Sequence, residues 1–276
     1  KDLNGDEAKP MSNRAVREIF PPGSTFKLVV SAAALDAGYE PDSVLNTSSY
    51  KLPGTNTTIS TTCVDSQTLK RALELSCNSA FARLGVKLGS DALREQAEKF
   101  GFGVKPLSDI PSVASKFPDE IDEPQTGLAA IGGYDVAATP LQMAMVAAGV
   151  ANDGTVMKPY LVQSVIGSDL SVIETTDEQE LSQAVTPDVA AQLTRMMEAV
   201  VTDGSGTRAQ IDGVAVAGKS GTAQHGEGRK PHAWFISFAP ADDPQIVSLL
   251  RSSLGKEEDR HYVDFLRWKH QENPFG

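Results

Sequence analysis

The chain has 276 residues, 40% of them hydrophobic and 22% charged, enough for a substantial core and typical of a globular fold rather than a fibre or a disordered chain. Its formal net charge of -11 disfavours nucleic acid and anionic membranes as electrostatic partners, so any anion it binds must meet a local positive site. No apolar run reaches the roughly 18 residues needed to cross a bilayer, and the opening KDLNGDEAKP lacks the apolar centre of a signal peptide.

Residues 1–20 read as a loop leading into PPGSTFK. There a proline pair holds the chain extended and Gly23 lets it turn. The apolar run that follows predicts a helix over 24–36, stopped at Gly38. Residues 41–63, rich in Ser, Thr, Asn, Pro and Gly, predict loops with a small hairpin. TLKRALEL has helical period and delivers Ser76-Cys77-Asn78. Further helices are expected in SAFARLGVKLG and over 91–100, and the prolines and carboxylates of 104–126 predict a long surface loop.

ATPLQMAMVAAGVANDG predicts a helix capped by Thr139, with Pro140 in its first position and Asn152-Asp153-Gly154 at its end. Residues 157–176 have strand-like β-branched content, TPDVAAQLTRMMEAVV predicts a helix capped at Thr186, and Gly204-Ser205-Gly206-Thr207 opens a turn. Then VAVAGKSGTAQ, HAWFISFAP and PQIVSLL predict adjacent antiparallel strands, with HGEGRKP joining the first two. The tail from Lys256 predicts a last helix around Tyr262, Phe265 and Leu266. One domain is expected, mainly helical over 24–202 and mainly sheet over 208–276.

Ser24 and Lys27 lie three residues apart on one helical face, which puts an amine within reach of a hydroxyl and makes them a candidate nucleophile and base. The Ser-x-x-Lys pattern occurs three times, also at Ser48 and Ser253, but only at Ser24 does it join a breaker, a helix start and an apolar run. Taken alone the pair also reads as a capping serine and a solvated lysine. Two other motifs each occur once: Ser76-Cys77-Asn78 in a loop between helices, and Lys219-Ser220-Gly221 followed by Thr222 on an edge-like strand. A lysine serves as base only if burial or a second cation lowers its pKa, and Lys219 is available as that cation.

Cys77 points away from its neighbours if the tripeptide is extended, and so reads as structural. A Cys63–Cys77 disulfide stays open, since spacing does not establish geometry. His225 and His232 flank a glycine-rich loop with no further ligand spaced to join them, which predicts exposed loop residues rather than a metal site. No metal or cofactor is expected.

Together the three motifs resemble those of the penicillin-binding protein transpeptidases. The stretches NRA, PPGSTFK, LELSCNSAFARLG, ATPLQMA, VAAGVANDG, VAGKSGTAQ and HAWFISFAP are similar to the class B, monofunctional members from about Asn13 to Pro240, nearest to the actinobacterial division-associated type. The resemblance implies an α+β fold, an antiparallel sheet with a helical subdomain. Only 23 residues precede Ser24, so the family's N-terminal strands are expected to be missing here, and the tail is unlike the family's closing segment.

The function implied is a serine D,D-transpeptidase that cross-links peptidoglycan stem peptides through an acyl-enzyme on Ser24 and is inactivated by β-lactams. It would work on the outer face of the bacterial cell membrane, through an anchor outside this chain. Implied partners are stem peptides, β-lactams and components of the division machinery, without nucleic acid. By the same resemblance Lys27 is the base, Ser76 relays a proton to the leaving amine, and Asn78 holds the substrate amide and Lys27. The backbone N–H groups of Ser24 and Thr222 receive the oxyanion, and Lys219, Ser220, Gly221 and Thr222 bind the terminal carboxylate. Two alternatives use the same residues: a β-lactamase or D,D-carboxypeptidase with water as acceptor, and a penicillin-binding sensor or idle division scaffold. The acidic DEIDEP is unlike the deacylating loop of the class A β-lactamases and reads as a solvated loop.

Overall fold

A computed structural model describes residues 12–224, 230–242 and 246–247. After a single turn, α1 (Arg14–Arg17), the chain enters a 3₁₀ turn at Gly23–Phe26 and then α2 (Lys27–Asp36). From Leu28 to Leu35 every residue of α2 is buried, as expected of a helix with no polar face. It packs against α3 (Leu69–Glu74), α4 (Asn78–Leu88), α5 (Ser90–Lys99) and α8 (Pro187–Asp203). The expected single helix over 24–36 is thus a tight turn feeding a central α-helix, with Ser24 on the turn and Lys27 opening the helix.

Between α2 and α3 lie two small antiparallel pairs. β1 (Val44–Asn46) pairs with β4 (Ser66–Thr68), and β2 (Tyr50–Lys51) with β3 (Thr58–Ile59). The loop expected over 104–126 ends early, because α6 (Glu123–Ala129) begins inside it. Its start is written locally as a capping box: Asp122 accepts from the Gln125 N–H at 2.9 Å, and the Gln125 side chain accepts from the Asp122 N–H at 2.9 Å. α7 (Pro140–Ala151) has the expected cap, Thr139 Oγ1 accepting from the Gln142 N–H at 3.0 Å.

The strand-like stretch after α7 forms two further pairs. β5 (Thr155–Met157) pairs with β8 (Glu180–Gln183), and β6 (Ser164–Ile166) with β7 (Val172–Thr175). Past α8, a turn and a short 3₁₀ segment at Thr207–Ala209 lead to the main sheet, in the order β11 (Ile246–Val247), β10 (His232–Ala239), β9 (Ala217–Ala223), all antiparallel. Burial alternates along β10, with Trp234, Ile236 and Phe238 facing the core. α8 lies against β9 and α7 against β10, so the sheet carries helices on its inner face. The expected tail helix and His225 fall outside the described residues. His232 departs from expectation: it opens β10, is half-buried, and its ring lies 4.9 Å from that of Phe20.

Candidate active site

The site forms where α2, the end of α3 and strand β9 meet. Its first wall is the turn that carries Ser24, pinned on both sides. Trp234 donates its indole N–H to the Pro21 carbonyl at 3.0 Å, Phe20 and Ala138 exchange backbone hydrogen bonds at 2.9 Å each way, and the Gly23 N–H reaches the Gly132 carbonyl at 3.1 Å. The turn and strand touch backbone to backbone. A Cβ on Gly221 would lie 3.0 Å from both the Pro22 carbonyl oxygen and the Thr25 nitrogen, and one on Gly23 would lie 2.5 Å from the Thr222 oxygen. Glycine at both positions therefore brings Ser24 beside Gly221 and Thr222.

The second wall is Ser76. Its φ of 59° is a left-handed conformation that an ordinary side chain adopts rarely and at a cost of about 1 kcal/mol or more. The kink separates α3 from α4 and turns the Ser76 hydroxyl and carbonyl toward the lysines. Cys77, the N-cap of α4, is disulfide-bonded to Cys63, which settles the open pairing and fixes the tripeptide from behind. The tripeptide is thus a kinked turn rather than the extended one assumed from sequence, and Cys77 is nonetheless buried away from the cleft.

Lys27 and Lys219 are both fully buried. Lys27 Nζ lies 2.8 Å from the Ser76 carbonyl oxygen, 2.6 Å from Asn78 Oδ1 and 3.2 Å from Ser76 Oγ. Lys219 Nζ donates to Ser76 Oγ at 3.1 Å and to the Ser220 carbonyl at 2.8 Å. The Ser76 hydroxyl therefore stands between two amines. Burial first, and the charge of Lys219 second, hold the Lys27 amine well below the ordinary lysine range. Burial lowers Lys219 to about 7.

The Lys27 amine is fully satisfied here, since Nζ donates to the two carbonyl-type oxygens and to Ser76 Oγ. Among the described residues no hydrogen bond joins it to Ser24: its three contacts all go to the Ser76–Asn78 turn. The Phe81 ring, 5.5 Å from Nζ, closes the apolar side.

The structure thus gathers every residue singled out by the three motifs. Sequence reasoning missed Ser205, whose Oγ lies 2.7 Å from Ser220 Oγ, and Trp234 as a clamp on the Pro21 carbonyl. The local signals were slight, a serine in a glycine turn and an aromatic in a strand.

The chain matches the penicillin binding protein transpeptidase domain over residues 1–261. It belongs to that family. It is 43% identical over 258 residues to the peptidoglycan D,D-transpeptidase PbpA of Mycolicibacterium smegmatis and 41% identical over 259 residues to PbpA of Mycobacterium tuberculosis, each alignment covering 89% of this chain and 52% of the relative. Penicillin-binding protein A of M. tuberculosis, solved as a penicillin G acyl-enzyme complex, superimposes with a TM-score of 0.83 at 39% identity, covering 90% of this chain and 58% of that one. The chain therefore spans about half the length of the curated relatives it matches. The fold is the α+β transpeptidase fold expected from the motifs, and the likeness to actinobacterial PbpA agrees with the finer placement.

Proposed function

We propose that this domain is a serine D,D-transpeptidase acting on peptidoglycan stem peptides at the outer face of the cytoplasmic membrane, and that β-lactams inactivate it. The observation that carries this reading is the single Ser76 hydroxyl shared by two buried, pKa-lowered lysines beside the Ser24 turn. A solvated lysine or a simple helix cap would show neither that burial nor that convergence. Relatives named as D,D-transpeptidases and a penicillin G acyl-enzyme among the neighbours support it.

In the proposed reaction Ser24 Oγ attacks the carbonyl of the D-alanyl-D-alanine bond while its proton passes to Lys27, suited as a base because burial lowers its pKa. Lys27 Nζ donates to Ser76 Oγ at 3.2 Å, so the proton it gains has a path onto that oxygen. Ser76 then gives its own proton to the departing nitrogen as the C–N bond breaks and takes one from Lys27 in its place, which leaves Lys27 a free amine again and the acyl group on Ser24. Lys219 holds Ser76 Oγ throughout and supplies the positive charge for the substrate carboxylate, with Ser220 and Thr222. The backbone N–H groups of Ser24 and Thr222 receive the developing oxyanion. An acceptor amine then attacks the Ser24 ester and loses a proton to Lys27; the ester C–O bond breaks, the new amide forms, and Lys27 returns that proton to Ser24 Oγ.

The test is to supply a donor peptide ending in D-alanyl-D-alanine with an amine acceptor, and follow free D-alanine and the new amide by mass spectrometry. Amide formation dependent on Ser24 supports the transpeptidase. Hydrolysis without amide formation points to a carboxypeptidase, and an intact donor peptide points to a sensor.

A further inference from the structure

We propose that Ser205, on the turn following α8, is a positioning residue that aims the Ser220 hydroxyl at the donor's terminal carboxylate. The inference rests on the reading above that Ser220 helps to bind that carboxylate.

The turn is anchored independently of the Ser205 side chain. The Ser205 N–H donates to the Glu74 carbonyl at 3.0 Å, and the Gly206 N–H to the Val200 carbonyl at 2.9 Å. Arg71 braces the same junction, pairing with the Glu74 carboxylate at 2.5 Å and donating to the Asp203 carbonyl at 3.3 Å. Glu74 ends α3, two residues before Ser76. One short turn is thereby fastened to the element that delivers Ser76, while its hydroxyl lands on β9 beside Lys219. Ser205 is exposed and Ser220 half-buried, so the pair sits at the mouth of the cleft rather than in the core.

The chemistry follows from counting protons. Each hydroxyl has one donor and two lone pairs, and the two oxygens stand 2.7 Å apart, so one of them donates to the other. If Ser220 donates to Ser205, it shows only lone pairs to the cleft and repels an anion. If Ser205 donates, the Ser220 proton is free to point outward. A bound carboxylate selects the second arrangement, and the chain Ser205 to Ser220 to carboxylate becomes a charge-assisted relay. Lys219 fixes the Ser220 carbonyl but not its hydroxyl. Ser205 supplies that remaining constraint.

The experiment compares second-order acylation rate constants for a penicillin and its methyl ester, using the wild-type domain, Ser205→Ala, Ser205→Thr, Ser220→Ala and the Ser205→Ala/Ser220→Ala double variant. Loss of one hydrogen bond of ordinary strength gives an expected fall of about fivefold for the free acid in Ser205→Ala. The ester should change by less than about twofold, since a neutral group needs no aimed proton. Ser205→Thr should restore the rate for the acid, and Ser205→Ala should cost nothing further once Ser220 is alanine. Equal losses for acid and ester, an unchanged rate, or additive effects in the double variant would overturn the inference while wild-type acylation left the functional reading intact. A wild-type domain that forms no adduct would overturn both.

Discussion

The Lys27–Ser76–Lys219 cluster and the β6–β7 hairpin distribute polarity in opposite ways. Both lysines have no exposed surface, whereas Leu170 is 84% exposed, Ile173 68% and Val172 62%. Burying an amine is costly unless its donors find acceptors and its charged form is weakened, and at the site the donors meet Ser76, Asn78 and Ser220 oxygens while burial lowers the pKa of both lysines. Among the described residues no second layer covers the hairpin: residues of β6 and β7 are exposed on both faces, so their apolar side chains are left largely unpacked there. Hydrophobicity alone places neither region. What decides is whether the surrounding backbone offers partners.

That contrast can be broken most sharply at Lys27. Lys27→Met keeps the alkyl volume and removes the base, so the rate of acylation by a penicillin should fall about a thousandfold, within the range of general-base effects, while unfolding stays cooperative. A loss below tenfold would mean that Lys27 is structural. Next in size is the brace behind Ser76. Replacing both Cys63 and Cys77 by serine frees a cross-link spanning 14 positions, which should reduce unfolding free energy by about 3 kcal/mol. Equilibrium urea unfolding of the double variant reads this directly.

The pH dependence is smaller but diagnostic. Lys27 acts only as the free amine, so acylation should rise with pH through its lowered pKa. Lys219 binds carboxylate best when protonated, so the second-order rate should fall as pH climbs past about 7. Lys219→Met should abolish the falling limb. It should also move the rising limb to higher pH, because the Lys219 charge is one cause of the lowering at Lys27. A pH profile for Lys219→Met that keeps the wild-type shape would contradict the coupling. The smallest effect belongs to the hairpin: Ile173→Ser should alter stability by less than about 0.5 kcal/mol, against roughly 3 kcal/mol for Leu73→Ala in the core.

What could be read from the chain beforehand follows the same division. The Thr-Pro caps of α7 and α8 and the period-two strand HAWFISFA carry local instructions and lie where expected, while PPGSTFK marks its turn but the helix after it opens only at Lys27. α6 was hidden because Pro124 and Gly127 interrupt a short helix with little apolar period, although Asp122 and Gln125 already had capping-box spacing. The kink at Ser76 was not legible, since a left-handed serine has no signature of its own. The link from Ser205 to Ser220 depends on how α3 and α8 meet, a tertiary fact that no local pattern records. Similarly, Ser24 and Lys27 were joined by helical spacing, yet the hydrogen bonds of Lys27 run to residues about 50 positions away.

The most direct measurement is the intact mass of the wild-type domain and of Ser24→Ala after incubation with benzylpenicillin, followed by peptide mapping. One penicilloyl group per wild-type chain, carried on the peptide containing Ser24, persistent over hours and absent from Ser24→Ala, is the expected result. An unmodified wild-type protein, or an adduct retained in Ser24→Ala, would contradict the assignment of Ser24 as the nucleophile.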